Sequence, residues 1–188
     1  MTERRTRLRS VTADIHEALH GADPFARIAE GRMDRQAYAA LLRFLFRYHA
    51  AMEAPCAAGA ARLGVGELAQ AHRRRLAALS VDLAALGASA ATPAPMPGDG
   101  DFAVGILYTV LGSTLGGKVI HRQLDHLLPD DEGRRFFRGE PGDGANWRLF
   151  CARLEEADLD MAQLEAGAAH AFARFQEMLE TKAALAAV

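Results

Sequence analysis

Residues 104–124 read VGILYTVLGSTLGGKVIHRQL, and this stretch decides the fold. Its surroundings are strongly apolar, and 102–117 carries no charged side chain. That run is shorter than the roughly 20 residues of a membrane-spanning helix. Its glycines and hydroxyls suit a buried helix instead. Gly112, Gly116 and Gly117 fall within six residues. An interior glycine costs a helix about 1 kcal/mol relative to alanine, so three together need a reason. Gly112 and Gly116 are four apart and share a face. Without a Cβ there, something presses on the backbone, either a flat ligand or a closely crossing helix. The glycines also permit a bend.

Outward from this segment the chain reads as helix throughout. Ala and Leu dominate and β-branched residues are sparse. A first helix is predicted over 5–20, stopped by Gly21, with Leu8, Val11, Thr12, Ile15, His16 and Leu19 on one stripe. A second starts after Asp34 as N-cap, and Pro55 sits near its end or marks a kink. A third covers 66–86, with Leu68, Leu76, Leu79, Leu83 and Leu86 inward. The Pro/Gly-rich segment ASAATPAPMPGDG at 88–100 is a loop. A fourth helix runs over 102–128, interrupted by the glycines. A short helix at 134–137 and two more over 147–156 and 160–184 close the chain. The expected fold is all-α, about six to eight helices in a single domain over 1–188, with no strand pair.

Composition narrows the function classes. The 188 residues are 50% hydrophobic and 24% charged, an ordinary globular balance. The formal net charge of -2 weighs against a nucleic-acid binder. Cys56 and Cys151 are far apart and form no CxxC pair, which suits a reducing, cytoplasmic setting. The opening MTERRTRLRS lacks the apolar core of a secretory signal, and no membrane association is expected.

His16 lies on the apolar stripe of the first helix. A neutral imidazole there suits iron ligation, or a core histidine bonded to a carbonyl. His16, Glu17 and His20 spell HEALH, a match to the HExxH of zinc peptidases. Zinc needs a third protein ligand, and Gly21 ends this helix at once. A di-iron bundle needs a second Glu-x-x-His, which the sequence lacks, since Glu165 and His170 are five apart. HRRR at 72–75 reads as a solvated helix face, and Phe136, Phe137 and Trp147 read as core anchors. No GxSxG, P-loop or dinucleotide fingerprint occurs.

Taken in order, these segments resemble the haem oxygenase family. LRSVTADIHEAL resembles its first helix, with Leu8, Arg9, Thr12 and His16 on the family pattern, so that His16 matches the proximal iron ligand. LGSTLGGKVI resembles the glycine-kinked distal helix, with Gly112, Gly116 and Gly117 over the haem. FFRGEPGDGANWRLF resembles the branch found beside bacteriophytochromes, and AHAFARFQEML resembles the closing helix.

The resemblance implies that haem is both substrate and prosthetic group. Bound between the first and fourth helices, it is opened by O2 to biliverdin, with release of CO and iron. His16 would be the metal ligand. Gly112, Ser113, Thr114 and Gly116 would form the catalytic distal wall, and Arg9, Thr12, Gly117 and Arg174 would join the haem contacts. Arg9 and Arg174 are the expected propionate partners, because a guanidinium fork fits a carboxylate. One position departs from many members: Ser113 stands where an acidic residue often follows the first distal glycine. Ser113 and Thr114 are then expected to order water in its place. No flavin or Fe–S motif is present, so electrons are expected from a separate reductase or ferredoxin, and the sequence leaves open two fates for the reaction, supply of biliverdin to a bacteriophytochrome or iron salvage. A haem carrier or sensor without turnover is the main rival reading, and an HExxH zinc peptidase a remote one.

Overall fold

The computed structural model describes residues 3–130 and 132–186. Among them there are ten α-helices and no strand. They are α1 Glu3–His20, α2 Phe25–Ala29, α3 Arg35–Ala51, α4 Glu53–Arg62 and α5 Gly66–Ala85, followed by α6 Gly100–Gly112, α7 Gly117–Gln123, α8 Arg135–Arg138, α9 Asp143–Glu156 and α10 Met161–Ala186. The all-α expectation holds. The helix count exceeds the expected six to eight because long apolar runs break and because α2 was not read from the sequence.

Asp34 caps α3 as expected, its Oδ1 accepting from Ala37 N at 2.8 Å. Pro55 lies near the end of that helix, as expected. The break falls at Met52, and Pro55 occupies the first turn of α4, where a missing N–H removes no intrahelical bond. Residues 88–99 form the expected loop.

The glycine-rich run is bent as expected. Between α6 and α7 the chain tightens into a 3₁₀ turn over Ser113–Gly116, the kind of mid-helix irregularity that marks functional sites. Gly100–Gln123 as a whole is long and apolar enough to cross a membrane by length and composition. It packs instead against α10 and α4.

The close helix crossings use other glycines. A Cβ on Gly105 would collide with the Leu164 carbonyl oxygen, and one on Gly167 with the Phe102 carbonyl oxygen. These two positions bring α6 and α10 backbone to backbone. Their side-chain-free contact is a structural use of glycine, separate from the face at Gly112 and Gly116.

Two apolar clusters form the core. One gathers Leu8, Met52, Val104, Leu107, Phe150, Leu154 and Leu164. The other gathers Ile28, Leu41, Leu45, Leu79, Leu83, Leu124 and Phe137. Phe175 and Met178 of α10 pack against both.

Candidate haem cavity

A cavity of about 550 Å³ opens where the two clusters meet. Its size lies within the roughly 300–1,000 Å³ of ordinary ligand sites. α1 supplies Arg5, Arg9, Thr12 and His16, and the glycine turn supplies Gly112, Ser113, Gly116 and Gly117. The apolar lining includes Phe25, Leu45, Trp147, Phe172 and Phe175. The lining is exposed at His16, Ser113 and Gly116 and buried at Tyr48, His49, Arg75, Phe136 and Phe137, so the mouth lies at α1 and the glycine turn and the floor at α3, α5 and α8.

Helix α1 is held from both ends of its inner face. The Glu155 carboxylate on α9 accepts from Arg4 N at 3.3 Å and Arg5 N at 3.0 Å. It thereby satisfies first-turn N–H groups that have no intrahelical acceptor. Leu8 and Thr12 are buried one and two turns on. Thr12 Oγ1 donates to Leu8 O at 2.8 Å and is also hydrogen-bonded with the Tyr108 hydroxyl of α6. Burial is the main reason that hydroxyl titrates above its ordinary range. His16 follows one turn after Thr12, its ring edge-on to Phe172 of α10. Val11, expected on the inner stripe, is instead 48% exposed, because α1 is covered on one side only.

The other wall is fixed by α10. Thr109 Oγ1 donates to Ala168 O at 3.2 Å and the Tyr48 hydroxyl to Ala171 O at 3.1 Å. Beyond Thr109 the three distal glycines differ. A Cβ on Gly116 would meet no heavy atom within 4 Å, one on Gly112 would touch the Trp147 ring at 3.7 Å, and one on Gly117 would lie 2.8 Å from the Phe137 carbonyl oxygen. Gly116 therefore keeps cavity space open, whereas Gly117 also lets α8 approach. A flat, largely apolar ligand with carboxylates at the mouth fits this slot: its walls are apolar, its open face has no Cβ, and Arg5 and Arg9 stand beside it.

Of the residues singled out in the sequence, Arg9, Thr12, His16, Gly112, Ser113, Gly116 and Gly117 line the one cavity. Thr114 is buried and is not among the lining residues. Ser113 Oγ donates to Val110 O at 2.7 Å. Arg174 lies on α10 away from the lining, paired with Glu177 at 2.6 Å. Arg5 went unremarked, although Arg5, Arg9, Thr12 and His16 follow helical spacing on one face. The reading of 72–75 as solvated is corrected in part. Arg73 and Arg74 are exposed, but His72 and Arg75 are buried. Positions three apart share a face, and α3 and α8 cover that one. The His20 side chain lies outside the described residues. Among those described, no group of three or more His, Cys, Asp or Glu side chains is placed to hold a metal ion.

Comparison with known proteins agrees with this arrangement. A family model described as heme oxygenase matches residues 3–95. A heme oxygenase of Xanthomonas campestris pv. campestris (strain 8004) is 35% identical over 161 residues, covering 83% of this chain and 96% of that protein. The structure of the NO- and CO-bound heme oxygenase from Neisseria meningitidis superposes with a TM-score of 0.69 at 23% identity, covering 96% of this chain and 92% of the other. At that identity the structural likeness speaks for the fold alone, while the Xanthomonas relative carries the kinship across most of the sequence. The chain belongs to the haem oxygenase family.

Proposed function

We propose that the protein binds haem in this cavity with His16 as the iron ligand and converts it to biliverdin, CO and iron. The observation that carries this reading is the meeting of His16 with Gly112 and Gly116 in one apolar slot. When bound, haem is the substrate and supplies the oxygen chemistry itself.

The chain's own residues orient and confine it. His16 presents a ring nitrogen for ligation, and its edge-on contact with Phe172 limits its rotation. Gly116 leaves room for a small ligand beside the ring. Arg5 and Arg9 offer guanidinium donors to the carboxylates at the mouth. Arg174 pairs with Glu177 through Nη1 and keeps further N–H donors for the same role. Ser113 lines the cavity, and its oxygen, donating to Val110, still accepts a hydrogen bond from water.

Electrons come from a separate reductase or ferredoxin, the product passes to an acceptor such as a bacteriophytochrome, and the setting is cytoplasmic. These assignments rest on the family and on the sequence features given above. The test is to add haemin, record the spectrum, then add reductant under air. A Soret band followed by biliverdin absorbance is expected. A stable Soret band without product would instead identify a carrier or sensor, and no Soret band would defeat the reading.

A further inference from the structure

Helix α8 is a single turn, Arg135–Arg138, too short to hold itself in water. What it is tied to therefore sets its position. Asp82 of α5 is fully buried. Its two carboxylate oxygens accept from Arg135 N at 2.9 Å and Phe136 N at 2.8 Å, first-turn donors that no intrahelical carbonyl serves. These charge-assisted bonds replace the water that the carboxylate gives up on burial. Just before the turn, the buried Tyr38 hydroxyl of α3 donates to Gly133 O at 2.9 Å. Gly133 has φ +84°, a left-handed conformation that glycine adopts without strain. The turn is thus fastened to α5 and, through Gly133, to α3.

The other side of α8 supports the glycine wall. Phe136 and Phe137 line the cavity. A Cβ on Gly117 would lie 2.8 Å from the Phe137 carbonyl oxygen, and the three nearest atoms to that position all belong to Phe137. Arg134, buried beside α8, donates from Nη1 to His121 O at 2.9 Å and pairs with Asp125. Residues 134–137 therefore hold α7 at its first residue and in its last turn. α7 also packs on α2, and the exposed side chains of Leu115 and Val119 leave the far side of the bend uncovered.

We propose that Asp82 is a positioning residue for the glycine wall: by fixing α8 it sets how far the α7 side of the bend stands from the cavity, and so the size of ligand that bound haem admits on that side. The inference rests on the haem-binding reading. Asp82 is not among the cavity-lining residues, and it reaches the slot only through the backbone of α8. Asp82→Asn keeps one acceptor oxygen and turns an NH2 toward the second N–H, so one of the two ties is lost. The Phe137 carbonyl is then free to draw back from Gly117, and the wall gains room.

The test loads the parent and Asp82→Asn with haemin and titrates the ferric proteins with cyanide, a small ligand, and imidazole, a bulky one. Asp82→Asn is expected to keep its Soret band and, within about twofold, its cyanide affinity, while imidazole binding tightens about tenfold, the scale of one charge-assisted hydrogen bond. Leu68→Ala is a core lesion on the same helix that leaves both α8 ties in place. It is expected to melt lower yet keep the parent's ratio of imidazole to cyanide affinity, and an equal change of ratio there would overturn the proposal. Gly117→Ala presses on the same contact from the other side. In the double variant with Asp82→Asn the imidazole gain is expected to fall short of the product of the two single gains; a full product would show that α8 does not couple the sites. Without haemin, amide exchange over 117–123 is expected to rise about tenfold in Asp82→Asn and to match the parent over 103–111. If Asp82→Asn does not fold, Asp82→Glu, which keeps both oxygens on an arm one methylene longer, is read by the same ratio. An unmoved ratio in a variant that binds haemin sinks this proposal alone; a parent without a haemin spectrum sinks the haem reading and this proposal with it.

Discussion

The His16 ring on α1 stands edge-on to Phe172 on α10, centroids 6.1 Å apart and planes at 89°. Two helices distant in sequence thus define where the imidazole points. His16→Ala is expected to abolish the histidine-ligated haemin spectrum, whereas His20→Ala retains it. Phe172→Ala should keep ligation but weaken haemin binding, since the ring loses its stop. Haemin titrations followed at the Soret band check all three, and loss of the spectrum in His20→Ala alone would reverse the assignment.

The glycines separate ligand space from packing. Gly116→Leu places a side chain where no atom lies within 4 Å of the Cβ position, so helix content and melting temperature should stay near the parent while haemin binding or turnover is lost. Gly105→Ala drives a methyl group into the Leu164 carbonyl. It should destabilise the fold by about 1–3 kcal/mol, the usual range for overpacking. Circular dichroism melts alongside haemin titrations distinguish the two, and unchanged haemin binding and turnover in Gly116→Leu would remove the ligand-space argument.

Ser113 lines the cavity and Thr114 does not. Of the two hydroxyls, Ser113 is therefore expected to matter more. Ser113→Ala should slow biliverdin formation while haemin affinity stays near the parent, and Thr114→Val should have the smaller effect. The double variant should resemble Ser113→Ala. Product spectra and rates with a fixed external reductant decide this, and full activity in the double variant would place water ordering elsewhere.

The buried histidine pair makes stability depend on pH. Burial is the largest cause that holds His72 down to about 4, with Arg75 and Arg73 adding to it, and holds His49 well below its ordinary range of 6.5. Between pH 4 and 6.5 the unfolded chain therefore binds more protons at these sites than the native chain. Stability should fall as pH drops through that window, by at most about 1.4 kcal/mol per pH unit for each histidine. Urea midpoints at pH 7, 6 and 5 measure the slope. His72→Gln should be less stable at pH 7 but show a shallower decline, and an unaltered slope would show that the pair is not the source.

The amino-acid sequence by itself determined the helical class, the cap at Asp34, the loop at 88–99 and the bend at the glycines, because periodicity, capping and the cost of a missing Cβ act within a few residues. It also placed His16 and the glycine face, through spacing on single helices. What only the tertiary structure decided is which helical faces meet. Val11 and Thr12 are neighbours, yet one is exposed and the other buried, since α1 is covered on one side. Arg75 reads as solvated among HRRR, but the arrival of α3 and α8 over its face, with Asp143 from α9, encloses it. Gly105 and Gly167 look unremarkable until α6 and α10 cross there. Burial of a polar group and the need for a bare backbone are both properties of a contact between distant segments, and no local pattern encodes which segments those will be.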